Sequence, residues 1–467
     1  MILRMALRSL ASQPVRSSVL TCGFGLGIAC MAGLLGVGEV ILDQSRSPFL
    51  RGGGDLVIHG AAGPLGSARF LTSQALETPS MKGRARVASP SLDATVYLVG
   101  GPGSRPLAIR ARGGIPSLER ALQDPETADI DAWRDTAGDR SWAAPATGSV
   151  LRAMDRFHPV PDVPARADSW AEWLYFNGTA GGTRFYLTFL VGPRVAASRR
   201  WAAVHLQLER DGQTVSYSDR EEIAEDELLA GAPDIRIGNS HVRLQGRRYH
   251  LRLALPADDR DASPVSGEIT IDSVAGRSIP PFEIGGAGGW VSGYTVPVLS
   301  GPLGGALEIG DEVVSLDGGV GYHDHNWGFW EDVVWQWGQV AHDDLSVLYG
   351  RIQPPADVAA AERIPGFLAV LGPLGPLGFS TDVTIDETDD PESGRPRSIV
   401  VRAVGESLSL EMFLTVETAS STRLGTPLGD PNSRGRFFQL RAAYRVTGTV
   451  GSQAIDFTAL GSAETFR

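Results

Sequence analysis

Cysteine is almost missing from this chain of 467 residues: Cys22 and Cys30 are the only two, and both lie in an apolar stretch near the amino terminus. The rest of the molecule has neither disulfides nor thiolate metal ligands, so its stability must come from its cores. Clusters of lysine and arginine are absent too, and the formal net charge is −12. An acidic exterior without a basic stripe argues against nucleic acid as a partner. There is no glycine loop of the phosphate-cradling kind and no nucleophile–base pair at a recognisable spacing. What is plentiful, 57 glycines and 30 prolines, points to many turns rather than long helices and argues against an α-helical bundle.

Charge is missing in one further place, residues 20–38. Arg4, Arg8 and Arg16 precede that run, and the first acid is Glu39. At about 1.5 Å per residue the run just spans a bilayer core, and Val40, Ile41 and Leu42 extend it. The basic flank places the amino terminus in the cytoplasm. These features predict a basic cytoplasmic tail over 1–18 and a single transmembrane anchor over 19–42, with the bulk of the chain in the periplasm of a bacterial inner membrane. A cleaved signal peptide is the alternative; the apolar region is long for one, and no small-x-small cleavage site follows it.

Residues 43–160 read as a small α+β region. After Gly52-Gly53-Gly54, strand character is visible at 55–58, 85–87 and 94–98, a helix start at 115–122, and a further helix at 148–156. Ala6-Leu7-Arg8-Ser9-Leu10, the glycine-rich span and Gly53-Gly54-Asp55-Leu56-Val57 resemble the start of permeases of the lipoprotein-release and macrolide-exporter type. Such permeases carry further membrane helices, and no second apolar span occurs here. The resemblance implies the inner membrane and the permease subunits of an ABC-type exporter as partners.

Beyond the proline-rich connector His158-Pro159-Val160-Pro161-Asp162-Val163-Pro164 the pattern becomes all β. Alternation runs through 185–190 and 203–210, where Asp211-Gly212 makes a hairpin turn into 213–217. Similar segments recur at 247–255, 267–271, 398–404, 407–416 and 437–457. Many short antiparallel strands imply barrels or sandwiches. An aromatic pair at i, i+2 opens each half, Trp173 with Tyr175 and Trp335 with Trp337.

The densest chemistry is the run Gly321-Tyr322-His323-Asp324-His325-Asn326-Trp327-Gly328-Phe329-Trp330. On a strand Tyr322, Asp324 and Asn326 share one face and His323 and His325 the other. One face could therefore hold a proton donor with its supporting groups.

Residues 168–467 resemble the hydroxyneurosporene synthase family, also called carotenoid 1,2-hydratases, together with the related attachment-protein H group. The resemblance rests on Glu172-Trp173-Leu174-Tyr175-Phe176-Asn177, on the stretch from Tyr322 to Gly328, and on Trp335-Gln336-Trp337-Gly338. It implies two lipocalin-like antiparallel β-barrels, over 168–326 and 327–467, and it implicates Asp324 and Tyr322 in catalysis. The hydratases carry a His and a Trp two residues apart where this chain has Gly293-Tyr294-Thr295-Val296-Pro297, so the attachment-protein H group fits better.

Adding water to an alkene needs a strong proton donor, and a carboxyl enclosed by Trp and Tyr is kept protonated by loss of solvation. Asp324 is the candidate acid, Tyr322 its orienting partner, and Trp173, Tyr175, Tyr294, Asn326, Trp335 and Trp337 the candidate substrate-binding residues. No cofactor and no metal are expected. His323 and His325 with Asp343 or Asp344 would make an incomplete ligand set, and Asp386, Glu387, Asp389, Asp390 and Glu392 read as a solvated acidic loop. The competing interpretation is that Tyr322, Asp324 and Asn326 only satisfy buried polar groups where two barrels meet, with the Trp pairs as core.

Two functions fit this pattern. One is an enzyme acting as hydratase, isomerase or cyclase on an isoprenoid-like or polyketide-like molecule. The other is a non-catalytic carrier handing a lipid or other lipophilic ligand to or from an exporter.

Overall fold

The computed structural model describes residues 14–15, 68–78, 81–98, 107–124, 134–360, 364–372, 375–422 and 437–466. The anchor expected over 19–42 and the strand expected over 55–58 lie outside the described residues. Among the described residues no helix is long and apolar enough to cross a membrane.

In chain order the amino-terminal elements are helix α1 (Ala68–Glu77), strands β1 (Leu92–Leu98) and β2 (Leu107–Gly113), and helices α2 (Pro116–Ala121), α3 (Ala137–Ala143) and α4 (Thr147–Met154). The chain divides into two compact units, Met1–His59 with Val87–Ala143 and Gly60–Arg86 with Ala144–Arg467. In the first, β1 and β2 pair antiparallel, and Arg112 ties β2 to α2 through Glu119 at 2.9 Å and through Asp124. A reciprocal cap starts α3: Asp139 N–H donates to Thr136 Oγ1 at 3.2 Å and Thr136 N–H to Asp139 Oδ2 at 2.7 Å. Residues 85–87 form no strand, because the turn at 81–84 runs directly into them and Pro90 follows.

The second unit holds two nearly closed β-barrels. The first is built from β3 (Trp170–Ala180), β4 (Thr183–Ala196), β5 (Arg199–Arg210), β6 (Gln213–Ala224), β7 (Ile235–Ile237), β8 (Ser240–Gln245), β9 (Arg248–Leu255), β10 (Val265–Asp272), β11 (Ile279–Gly285), β12 (Val291–Ile309), β13 (Glu312–Ser315) and β14 (Gly319–Phe329), with helix α5 (Glu225–Gly231) after β6. Strand order is β6-β5-β4-β3-β14-β12-β10-β9-β8-β7, and β11 and β13 pair with β12. The right-handed twist of the strands curls the sheet until its ends approach, where Tyr217 of β6 bridges Ala257 beyond β9.

The second barrel comprises β15 (Val334–His342), β16 (Leu345–Gln353), β17 (Phe367–Gly372), β18 (Gly375–Ser380), β19 (Asp382–Asp389), β20 (Pro396–Gly405), β21 (Leu408–Thr422), β22 (Phe437–Val450) and β23 (Gln453–Phe466). Its order is β18-β17-β16-β15-β23-β22-β21-β20-β19.

Period-two alternation fills both interiors. Leu174, Phe176, Phe185, Leu187 and Phe189 belong to the core of the first barrel, and Val347, Tyr349, Leu368 and Val370 to that of the second. Helix α4 packs into the first core with Val150, Leu151 and Met154, each worth roughly 1.5–3 kcal/mol of burial.

Turn chemistry agrees with the sequence at Asp211-Gly212, both left-handed (φ 51° and 76°), which is the twist a two-residue hairpin needs. It differs at 437–457. That segment is two strands, because Gly451 (φ 57°) reverses the chain between β22 and β23. The acidic run also differs. Asp386, Glu387 and Asp389 lie on β19, and half-buried Glu387 accepts from Gln336 Nε2 at 3.2 Å and Thr465 Oγ1 at 2.8 Å. Likewise the connector at 158–164 is held in place, since Glu172 accepts the His158 N–H at 2.9 Å.

Candidate functional site

Residues facing away from the two cores meet each other at a junction between the barrels. Tyr175, Tyr186, Val296, Leu299 and Tyr322 come from the first barrel, and Trp337, Leu348, Ala369 and Leu371 from the second. Antiparallel register sets Asp324 opposite Tyr175, Asn326 opposite Trp173 and also opposite Tyr294, and Trp337 opposite Glu464. The eight residues proposed from the sequence, Asp324, Tyr322, Trp173, Tyr175, Tyr294, Asn326, Trp335 and Trp337, therefore gather on this junction.

A hydrogen-bonded chain runs across it. Trp337 Nε1–H donates to Tyr294 Oη at 2.8 Å, the hydroxyls of Tyr294 and Tyr322 are 2.8 Å apart, and Tyr322 reaches Asp324 Oδ2 at 2.7 Å. Asn326 Nδ2–H donates to Asp324 Oδ1 at 2.8 Å. Tyr322 and Asp324 are 1 % and 4 % exposed. No ion pair involves Asp324 among the described residues, and burial pushes its carboxyl well above the usual carboxylate range. The bonds from Tyr322 and Asn326 oppose that push, while Glu464 across the junction adds to it. Burial raises the Tyr322 and Tyr294 hydroxyls well above their ordinary value as well, so both remain proton donors.

Aromatic rings surround the chain. Tyr322 and Trp337 lie 5.1 Å apart between centroids, Tyr175 and Trp337 6.2 Å, and Trp335 stacks on Phe466 at 4.4 Å. Trp173 sits a little apart, against Trp330 at 4.5 Å and Trp335 at 6.0 Å.

Beside this chain is a cavity of about 120 Å³, lined among others by Asn177, Arg184, Tyr322, Gln339 and Gly461. It touches Tyr322 but not Asp324. Ligand pockets typically measure about 300–1,000 Å³, so the cavity fits part of a lipophilic molecule and not the whole.

His323 and His325 face the other way, toward the interior of the first barrel and helix α4. His323 Nδ1 meets Tyr175 O at 2.9 Å and its Nε2 meets Asp155 Oδ2 at 3.2 Å. Tyr249 donates to the same Asp155 oxygen at 2.5 Å. His325 Nδ1 meets Met154 O at 3.2 Å and Nε2 meets Glu172 Oε1 at 2.9 Å. The partner of every one of these ring nitrogens is a carbonyl or carboxylate oxygen. The network pins α4 and the 158–164 segment to the barrel.

Burial alone would raise Glu172, yet the hydrogen bonds from His158 and His325 prevail and hold it below the ordinary value. The pairing of His323 and His325 with Asp343 or Asp344 is not realised, because those acids occupy the exposed turn between β15 and β16.

Among the described residues one group, His158, Glu172 and His325, has ligand atoms within 4.8 Å of one another. Both imidazoles point at the same Glu172 oxygen, at 2.7 and 2.9 Å. Those are hydrogen-bond distances. Ligands about 2.0–2.2 Å from a shared zinc ion would stand farther apart, so the arrangement is a hydrogen-bonded one.

Several residues at the junction have no sequence signal. Glu464 lies on the outward face of β23, with an Oε1 shut off from solvent and lacking a hydrogen-bond partner, and burial raises its carboxyl to about 7. Arg184 donates to Ser462 Oγ at 2.7 Å across the junction. Asn177 was visible only as the last residue of the Glu172–Asn177 motif; its spacing of two from Tyr175 places it on the junction face.

No family model matches the chain, and no curated protein sequence does. Solved structures similar to it include an AttH candidate from Nitrosomonas europaea, at 16% identity over 66% of this chain and 98% of that one, with a TM-score of 0.43. Kievitone hydratase from Nectria haematococca is similar at 13% identity over 67% and 94%, with a TM-score of 0.43. CghA in complex with Sch210972 is similar at 11% identity over 64% and 88%, with a TM-score of 0.41.

Proposed function

We propose that this protein binds a lipophilic, unsaturated molecule at the junction of its two barrels and protonates it, with Asp324 as the general acid acting through Tyr322. The observation that carries this reading is a buried carboxyl without an ion pair at the end of a Tyr294–Tyr322 hydroxyl chain. A purely structural carboxyl in such a place would be stabilised by a cation; this one is kept protonated by lost solvation.

The π electrons of the substrate double bond take the proton of Tyr322 as a new C–H bond, and Tyr322 is reprotonated from Asp324, leaving a carboxylate. The carbocation lies among the rings of Trp337, Tyr175 and Trp335, whose faces favour positive charge. Water adds to it as a hydratase requires, or a neighbouring C–H loses its proton as an isomerase or cyclase requires. Either released proton restores Asp324.

The test is incubation in D2O with whatever apolar molecule co-purifies, followed by mass spectrometry. Deuterium should enter the molecule at carbon, and Asp324→Asn should slow uptake by roughly 10²-fold at an unchanged melting temperature. Equal uptake by wild type and Asp324→Asn removes the acid role. No uptake by either, with a lowered melting temperature for Asp324→Asn, supports a carrier in which Asp324 only joins the barrels.

The placement outside the cytoplasm belongs to the same reading and rests on Arg4, Arg8 and Arg16 ahead of the uncharged 20–38 run. A reporter fused after Arg467 that is active in the cytoplasm overturns it.

A further inference from the structure

Arg184 is 7 % exposed, and no carboxylate lies within ion-pair distance of it among the described residues. Its cross-strand neighbour Glu209 is taken by Arg441, at 3.0 Å. What the guanidinium does hold is a neutral oxygen, Ser462 Oγ. A buried cation without a counter-ion is costly, and a guanidinium forks best onto a carboxylate.

The same cavity wall carries a second unfulfilled donor. Asn177 is 3 % exposed; its Oδ1 accepts from Gln339 Nε2 at 3.4 Å, while its Nδ2 has no partner. Arg184, Asn177 and Gln339 thus line one cavity of about 120 Å³, which the reacting Tyr322 lines as well. Asp324, the acid bonded to Tyr322, does not line it, and neither does Glu464.

We infer that this cavity takes the carboxylate head of the ligand, with Arg184 as its counter-ion and Asn177 as a second donor, so that the substrate is a lipophilic acid. The inference rests on the junction being the ligand site, as proposed above. It also gives the small cavity a purpose: it fits a head group of a few heavy atoms, and the apolar remainder lies along the aromatic wall. A ligand anchored at Arg184 would be positioned for a double bond a short distance along its chain to reach Tyr322.

The test compares decanoate with decanol, probes matched in chain and different in head, by quenching of tryptophan fluorescence in the full chain. The wild type should bind decanoate at least about tenfold more tightly, the expectation for a charge-assisted hydrogen bond. Arg184→Gln should abolish that preference with decanol affinity unchanged. Should Arg184→Gln fail to fold, Asn177→Asp supplies the counter-ion internally and should lose decanoate while keeping decanol.

Asp324→Asn should keep the full preference, which separates head-group recognition from acid chemistry. Decanol bound as tightly as decanoate, or a preference that survives Arg184→Gln or Asn177→Asp, overturns the carboxylate assignment alone. Binding of neither probe overturns it together with the junction as ligand site.

Discussion

Glu464 should make the protein less stable as pH rises from 4.5 to about 7, and Glu464→Gln should remove that loss. Loss of solvation around its carboxyl is the dominant cause of a rise from 4.5 to about 7; Tyr175, Gln439 and Trp335 oppose it without cancelling it. Below pH 4.5 the group is protonated whether the chain is folded or not, and it costs nothing. Between 4.5 and about 7 the folded state holds a proton that the unfolded state has released, so stability falls as pH increases. Above about 7 the loss is complete. Each pH step of one across that window costs roughly 1.4 kcal/mol, so the whole loss is about 3 kcal/mol, and less if partial exposure of the rest of the side chain lets water reach the ionised group.

The assay is guanidinium unfolding of wild type and Glu464→Gln across this range. Glu172 loses stability in the opposite direction, as pH falls through its depressed value, but it is common to both proteins and cancels in the difference. Asp324 feels Glu464 across the junction, so the difference also includes their coupling, which Asp324→Asn and the double variant isolate. Curves that stay parallel from about pH 4 to pH 8 would refute the argument, because an ionising group without loss of solvation gives no slope.

What could be read from the sequence was what local pattern controls. Alternation alone separated Tyr322, Asp324 and Asn326 from His323 and His325, because a strand offers only two faces. Asp211-Gly212 was legible because two consecutive left-handed residues are rare outside a tight hairpin. The aromatic pairs Trp173/Tyr175 and Trp335/Trp337 were legible as like positions on two strands that face one another. Gly451 was not, since a single glycine in an alternating run is as compatible with a bulge as with a reversal.

The partners of the site were illegible for a different reason: they come from far along the chain. Asp155 meets His323 across 168 residues, and Arg184 meets Ser462 across 278. No spacing rule relates such residues; only the closing of each barrel and the meeting of their outer faces does. Glu464 illustrates the point most clearly. In sequence it is one polar residue in an alternating strand, which predicts a solvated position, whereas the second barrel's outer face is covered here by the first.

The histidine network and the Trp337 indole can each be probed by a single substitution. Glu172→Gln should destabilise the fold by about 3–5 kcal/mol in thermal or denaturant unfolding, because His158 and His325 both donate to the lost charge inside the barrel wall; a change under about 0.5 kcal/mol would show the network to be dispensable. Trp337→Phe keeps an aromatic ring against Tyr322 and removes only the indole N–H that donates to Tyr294. The Tyr294 oxygen then has one contact instead of two, so its hydroxyl is free to turn away from Tyr322 and the proton path to Asp324 loses its fixed direction. A lost hydrogen bond of about 1 kcal/mol sets both expectations, a small fall in stability and a fall of roughly fivefold in deuterium uptake from D2O. Uptake that is unchanged while stability falls would mean that Trp337 serves the junction as packing and that Tyr294 does not orient Tyr322 for proton transfer.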